Sequence, residues 1–352
     1  MRGEEDRGAS AGGEIGASVP DARRIERVLE RLPGLRALVV GDLLLDEYRV
    51  GDADRISPEA PVPIVRVRST RKTLGGAGNV AAGIRTLGGR CELVALAGAD
   101  AEGDAALECL GELGIPASGV VRTPERPTPH KLRVVARSRQ MLRLDRESDE
   151  PVARVRIEAV RTAIEARLAG CDVVLLQDYD KGLFSDDLGS WIIELARRHG
   201  RPVVADPKNA LDRFRGAALV KPNLEEAHRF LPGAADTFER RRAWLEKIQR
   251  ALGGSEIVLT RGSLGMTALD ANGAAFDVPT RPAEVFDVQG AGDTSIAALA
   301  LCRGAGASLL ESCIVANAAA SVAVEKIGTA AVGLEELRGR LRERRFELGE
   351  NA

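Results

Sequence analysis

A chain of 352 residues, 44% of them hydrophobic, is long enough to bury a substantial core, as one large α/β domain or two ordinary ones. A net charge of -2 and a pI near 6.1 argue against nucleic acid or an anionic membrane as the main partner, since those surfaces demand a concentrated positive field. The five cysteines, Cys91, Cys109, Cys171, Cys302 and Cys313, are scattered and form no Cys-x-x-Cys pair, which argues against a disulfide framework or a zinc site.

Residues 1 to about 20 are acidic, rich in Gly and Ala, and lack a signal-peptide core, so they read as a disordered tail. With no apolar run of about eighteen residues anywhere, a cytoplasmic protein is expected. Asp21 to Leu32 has helical spacing and stops at Pro33-Gly34, and Ala37 to Val40 is a short apolar run of the kind found in buried strands. Gly41-Asp42-Leu43-Leu44-Leu45-Asp46 follows. Ligands of open α/β sheets bind at the C-terminal ends of strands, so Asp42 and Asp46 are candidates to accept hydrogen bonds from ligand hydroxyls; solvent-facing loop acids are the alternative.

Ile56 to Arg68 is Pro-rich and then alternates, which suits an edge strand or small flap. Gly75 to Gly83 opens a helix with small residues. Gly76-x-Gly78-x-x-Ala81 also fits a dinucleotide-binding fingerprint, but the polar Thr70-Arg71-Lys72-Thr73 stands where an apolar strand is required, and Glu92 opens the next apolar run instead of closing it. A nicotinamide enzyme is therefore set aside. Lys131 to Arg139 alternates and puts Lys131, Arg133, Arg137 and Arg139 on one face, which suits either a phosphorylated ligand or plain solvent.

Strand and helix patterns alternate from Leu93 onward, predicting a mainly parallel sheet covered by helices. The strands end in polar clusters: Asp178 to Gly182, Asp206-Pro207-Lys208, Lys221 to Glu226, and Thr260-Arg261-Gly262. Four such ends build one crevice. There Lys181 and Lys208 can offer point charges to phosphate, or serve as surface lysines. Glu226 can act near a metal, or simply favour the first turn of a helix starting near Leu224.

Phe286 to Thr294, with Gly290, Ala291 and Gly292, is a glycine turn feeding a buried helix. The free N–H groups and positive dipole end of that helix make an anion cradle, and Gly290 and Gly292 let the backbone approach a ligand closely. A carboxylate at Asp293 suits the acceptance of a proton from a hydroxyl attacking a phosphoryl group; a helix cap is the plainer reading. The crevice tips the balance to the catalytic role. No Gly-Lys dipeptide occurs, which excludes a P-loop.

Asp287-x-x-Gly290-Ala291-Gly292-Asp293, with the earlier Gly75-Gly76, resembles the signature pair of the PfkB/ribokinase family of sugar kinases from about Leu38 to the helix after Gly328. Within it the chain is most similar to bacterial heptose-7-phosphate kinases, notably over Gln140 to Glu147. Gln289 departs from the Thr or Ser frequent in relatives. The resemblance implies a ribokinase-like α/β domain over 21–352 with a small β lid near 48–72 and 123–146. It implies transfer from Mg·ATP to O1 of D-glycero-β-D-manno-heptose 7-phosphate, on the route to ADP-heptose. It places the sugar on Asp46, Gly75, Gly76 and Asn79, favours Arg143 and Asp145 as site or hinge residues, and lets Asn223 and Glu226 organise Mg²⁺ through water. Thr260, Arg261, Gly262, Asn317 and Gly328 fall where such enzymes house adenine and ribose, and lid edges that pair imply a homodimer.

Two alternatives stand beside this reading: a PfkB kinase for another sugar, sugar phosphate or nucleoside, and a non-catalytic sugar or nucleotide sensor, which the intact Asp293 cradle argues against. His130, His199 and His228 are mutually remote, so no His-x-Gly-His adenylyltransferase motif is present and a kinase-only activity is expected.

Overall fold

The computed structural model describes residues 22–137, 139–280, 285–326 and 331–347. The expected tail at 1–20 and the candidate Gly328 lie outside the described residues. In chain order the strands are β1 (Arg36–Ile56), β2 (Pro63–Gly76), β3 (Arg90–Gly98), β4 (Val120–Thr123), β5 (His130–Ala136), β6 (Arg139–Arg146), β7 (Val173–Gln177), β8 (Val203–Asp206), β9 (Leu219–Val220), β10 (Glu256–Thr260), β11 (Met266–Leu269) and β12 (Ala275–Val278). The helices are α1 (Ala22–Arg31), α2 (Ala77–Thr86), α3 (Ala101–Glu112), α4 (Arg154–Leu168), α5 (Leu188–Arg198), α6 (Leu224–Phe230), α7 (Phe238–Ala251), α8 (Ala291–Gly304), α9 (Leu309–Ala323) and α10 (Leu334–Glu347).

The main sheet runs β12-β11-β10-β9-β8-β7-β1-β3-β4, parallel except for the β10-β11-β12 end. Its central strands are apolar on both faces because helices cover both. Ala37 and Val39 join a core with α2, α8 and α9, while Leu38 and Val40 join a second core with α4, α5 and α7. This is the helix-covered parallel sheet that the alternating pattern predicts.

Residues 41–46 continue the strand that begins with the apolar run, so the solvent-facing loop acids of the alternative reading are strand residues instead. After pairing with β3 and β7 up to Asp42, β1 continues through Leu43 into a second, smaller sheet, where it lies between antiparallel β2 and parallel β5. Three consecutive buried leucines, Leu43, Leu44 and Leu45, carry it across the junction. At Thr70 to Thr73 the segment before the glycine helix is β2, a largely exposed strand whose polar side chains fit the small sheet and not the apolar strand of a dinucleotide site. The segment Lys131 to Arg139 is likewise not one strand. The chain turns at Arg137, in left-handed backbone with φ of 50°, and Arg139 pairs back against Ala136.

Gly41 sits where the two sheets part, and a β-carbon there would stand 2.2 Å from the Gln177 carbonyl oxygen and 3.0 Å from the Ala77 β-carbon. Its absence allows β7 and the start of α2 to close on the crevice. Gly41→Ala should lower stability by about 2 to 3 kcal/mol, because the obstructing atom is backbone in the middle of a sheet. A denaturant midpoint equal to that of the parent chain would contradict this close approach.

Candidate functional site at the strand ends

The cradle forms as its composition requires. Gly290 takes left-handed backbone, φ 78°, just before α8, and the Gly292 side faces open space where a β-carbon would meet nothing within 4 Å. The N–H groups of Gly292 and Asp293 find no acceptor among the described residues, so the first turn of α8 presents free donors.

Asp293 does not cap α8; Gly290 occupies that position, and no side chain caps the helix. The carboxylate, 6% exposed, is held from elsewhere. Asn79 of α2 donates to Oδ2 at 2.7 Å and the Tyr179 hydroxyl donates to Oδ1 at 2.8 Å. Gln177 Nε2, at the end of β7, stands 3.3 Å from Asp206 and 3.5 Å from Asp293. Burial pushes the Asp293 carboxyl up to about 6, against the lowering effect of the Asn79 and Tyr179 hydrogen bonds; Asp206 raises it further and Lys221 lowers it. Lys221 pairs with Asp206 at 3.0 Å. The site thus contains an acid that ionises near neutrality beside a row of free backbone donors.

The small sheet and the end of β1 supply the other wall. Asp42 accepts from the backbone N–H groups of Tyr179 at 2.9 Å and Lys181 at 3.2 Å, and burial with the Asp178 charge pushes its carboxyl up to about 7. Asp46 lies over Gly75, where a β-carbon would come within 2.6 Å of Oδ2, and pairs with Arg133 at 2.5 Å. Arg133 is buried and stacks over the Tyr48 ring, 5.3 Å from its centroid. The Tyr48 hydroxyl donates to Gln289 Oε1 at 2.9 Å, tying the small sheet to the loop before the cradle. Lys131, Arg143 and Lys181 are engaged by Asp145 and Glu147. Arg137 pairs with Asp54 on the exposed tip, away from the cationic face expected of it.

Asn223 and Glu226 form a reciprocal capping box at α6: Asn223 Oδ1 accepts from the Glu226 N–H, and Glu226 Oε2 accepts from the Asn223 N–H, both at 2.8 Å. That leaves Glu226 Oε1 to face Lys208 at 3.4 Å. Burial and the Asp206 charge raise the Glu226 carboxyl. Asp206 thereby links Glu226 and Asp293 in one electrostatic neighbourhood. Thr260 bridges to Asn223 through backbone, and Gly262 has φ of 59° as the chain leaves β10. Two of the candidate side chains already have protein partners. The Arg261 side chain turns to Asp277 at 3.4 Å and the Leu264 carbonyl, and Asn317 is spent on the Pro279 carbonyl and the Thr280 hydroxyl.

Gln177 and Tyr48 were not singled out from sequence, whereas Tyr179, Asp206 and Lys221 stand in the polar strand ends and Arg133 on the alternating cationic face, without individual roles. Only the fold shows which of these side chains turn inward.

A family model described as pfkB family carbohydrate kinase matches residues 36–337. The bifunctional protein HldE of Bradyrhizobium diazoefficiens is 40% identical over 319 residues, 90% of this chain, and that of Halorhodospira halophila is 43% identical over 315 residues, 88% of this chain. The chain spans 65% of the length of each. In structure it is similar to Arabidopsis thaliana ribokinase complexed with ribose and ATP, with a TM-score of 0.68 and 22% identity over 88% of this chain and 99% of that one. Phosphofructokinase-2 from Escherichia coli in complex with potassium gives a TM-score of 0.70 and 20% identity over the same shares. These structures share the ribokinase-like fold, and with the family match across the sheet, the cradle and Asp293, the chain belongs to the pfkB family of carbohydrate kinases.

Proposed function

We propose that the chain transfers the γ-phosphoryl group of ATP to O1 of D-glycero-β-D-manno-heptose 7-phosphate, giving the 1,7-bisphosphate and ADP for ADP-heptose synthesis. The observation that carries the kinase reading is the ionisable Asp293 carboxylate set against the free N–H groups of Gly292 and Asp293 in the first turn of α8. Asp293 takes the proton of the attacking sugar hydroxyl, and the cradle N–H groups stabilise charge on the transferred group. The similarity to HldE proteins and the heptose-kinase-like Gln140 to Glu147 stretch support the sugar. Asp42, Asp46, Gly75, Gly76 and Asn79 bind its hydroxyls, and Lys131, Arg143 and Lys181 take its phosphate.

Lys208, Asn223, Glu226, Thr260, Gly262 and the backbone around Arg261 and Asn317 line the nucleotide side, and the similarity to a ribokinase complexed with ATP supports ATP as the donor. Among the described residues no group of three or more His, Cys, Asp or Glu side chains could cage a metal. The donor set, Glu226 with Asp206 nearby, fits a Mg²⁺ that keeps its own waters and neutralises phosphate charge. Exposed Val50, Val67, Met141, Leu142 and Leu144 on the small sheet support a homodimer formed through that sheet.

ADP release measured across heptose 7-phosphate, fructose 6-phosphate, ribose and adenosine tests the substrate. Asp293→Asn should cut kcat by roughly two to four orders of magnitude with ATP binding little changed. Near-normal turnover would remove Asp293 from the chemistry.

Only the ionised carboxylate accepts a proton, so kcat/KM should rise with pH through about 6 and then level. Asp206→Asn removes a charge that raises the Asp293 pKa and should move that limb to lower pH; Lys221→Met should move it up. A pH profile unmoved by both substitutions would assign the limb to another group.

Glu226→Gln can keep the capping box, since an amide oxygen also accepts from the Asn223 N–H. It should nevertheless raise the Mg²⁺ concentration needed for half-maximal rate. An unchanged Mg²⁺ titration would reduce Glu226 to a cap.

A further inference from the structure

Glu147 stands one residue past β6, outside regular structure, and its two oxygens reach two lysines from different parts of the fold. Oε2 lies 2.9 Å from Lys131 Nζ on β5 of the small sheet, and Oε1 lies 2.9 Å from Lys181 Nζ, in the loop after β7. Asp145 adds contacts to Lys131 at 3.3 Å and Arg143 at 2.9 Å. Three cations therefore face two carboxylates, leaving one positive charge in excess. The lysine side chains are only 18% and 16% exposed, so water screens them poorly. Burial alone would raise the Glu147 carboxyl, but Lys131 and Lys181 outweigh it and hold it below the usual range.

Two enclosed ammonium groups sharing one carboxylate would repel each other without it, so this spot calls for an anion at all times. The spot also adjoins the candidate sugar contacts. Lys131 is the register partner of Asp46, and the Lys181 N–H donates to Asp42. We infer that Glu147 is a built-in counter-anion: it occupies the lysine pair in the free protein and yields it to the phosphate carried by the sugar, so that the two lysines are never left facing each other without an anion. The inference rests on the proposal that Lys131, Arg143 and Lys181 receive that phosphate.

A phosphate monoester brings more charge and one more oxygen than a carboxylate, so it can displace Glu147, whereas a neutral sugar cannot. Because Glu147 lies beyond the β5–β6 ladder, its side chain can swing out without breaking a strand pair. The competition lowers affinity for every anion equally, but only a ligand anchored also on Asp42 and Asp46 recovers the loss.

The test is calorimetric titration of inorganic phosphate into the full chain as parent, Glu147→Gln, and Glu147→Gln with Lys131→Met, each checked for an unchanged melting temperature. Glu147→Ala replaces the amide variant should that variant melt early. Removing the competitor should tighten phosphate binding about tenfold, a modest effect for a partly screened pair, and the gain should vanish in the double variant. Unchanged or weaker binding by a folded single variant overturns the inference. So does a gain that survives Lys131→Met, which would put the phosphate elsewhere, for instance on the α8 cradle. A tenfold gain that depends on Lys131, together with no ADP release on any sugar phosphate, would overturn the proposed substrate while leaving the counter-anion in place.

Discussion

A carboxylate that must be ionised inside a protein has to be ringed by donors, and Asp293 imposes that requirement on elements far apart in the chain. Its partners come from α2, through Asn79, and from the end of β7, through Tyr179, while its backbone starts α8. Each element reaches the point by a different device. Gly41 lets β7 and α2 close together, Gly75 and Gly76 lead β2 into α2, and left-handed Gly290 turns the chain into α8. Loss of either partner would leave a buried carboxylate short of a hydrogen bond, a larger penalty than the bond's own net contribution.

The second organising feature is that β1 belongs to two sheets. Because one strand carries Asp42 at the end of its main-sheet pairing and Asp46 inside the small sheet, the two acids are held by continuous backbone rather than by a hinge. From Asp46 a chain of contacts runs through Arg133 and the Tyr48 ring to Gln289, one residue before the cradle. Gln289 is long enough to meet Tyr48 across the gap between the small sheet and the loop before the cradle.

What could be read from the sequence follows from how local each signal is. The cradle, the strand runs at Ala37–Val40 and Val173–Leu176, and the acid at Asp293 carry their signatures within a few residues, and the family match covers them. The length of β1 and the strand character of Thr70 to Thr73 were hidden because polar residues in the small sheet owe their conformation to cross-strand partners. Arg261 and Asn317 show the same limit in reverse. Their side chains answer to Asp277 and to the Pro279 carbonyl, contacts that no spacing encodes.

The two buried acids also make the stability of the crevice depend on pH. Asp42, pushed up to about 7, and Asp293, pushed up to about 6, bind protons in the folded protein that the unfolded chain has already released. Their favourable contribution is complete below the ordinary aspartate range, near 3.8, and is lost as pH rises through 6 and 7. For Asp293 the rise from 3.8 to about 6 means that the ionised form is held at a disadvantage on the order of 3 kcal/mol. That is the form a general base needs. The protein is thus least favoured by these two groups at the pH where Asp293 is ionised, and the Lys221–Asp206 pair, the capping box of α6 and the doubly covered sheet surround the crevice in which that cost is borne.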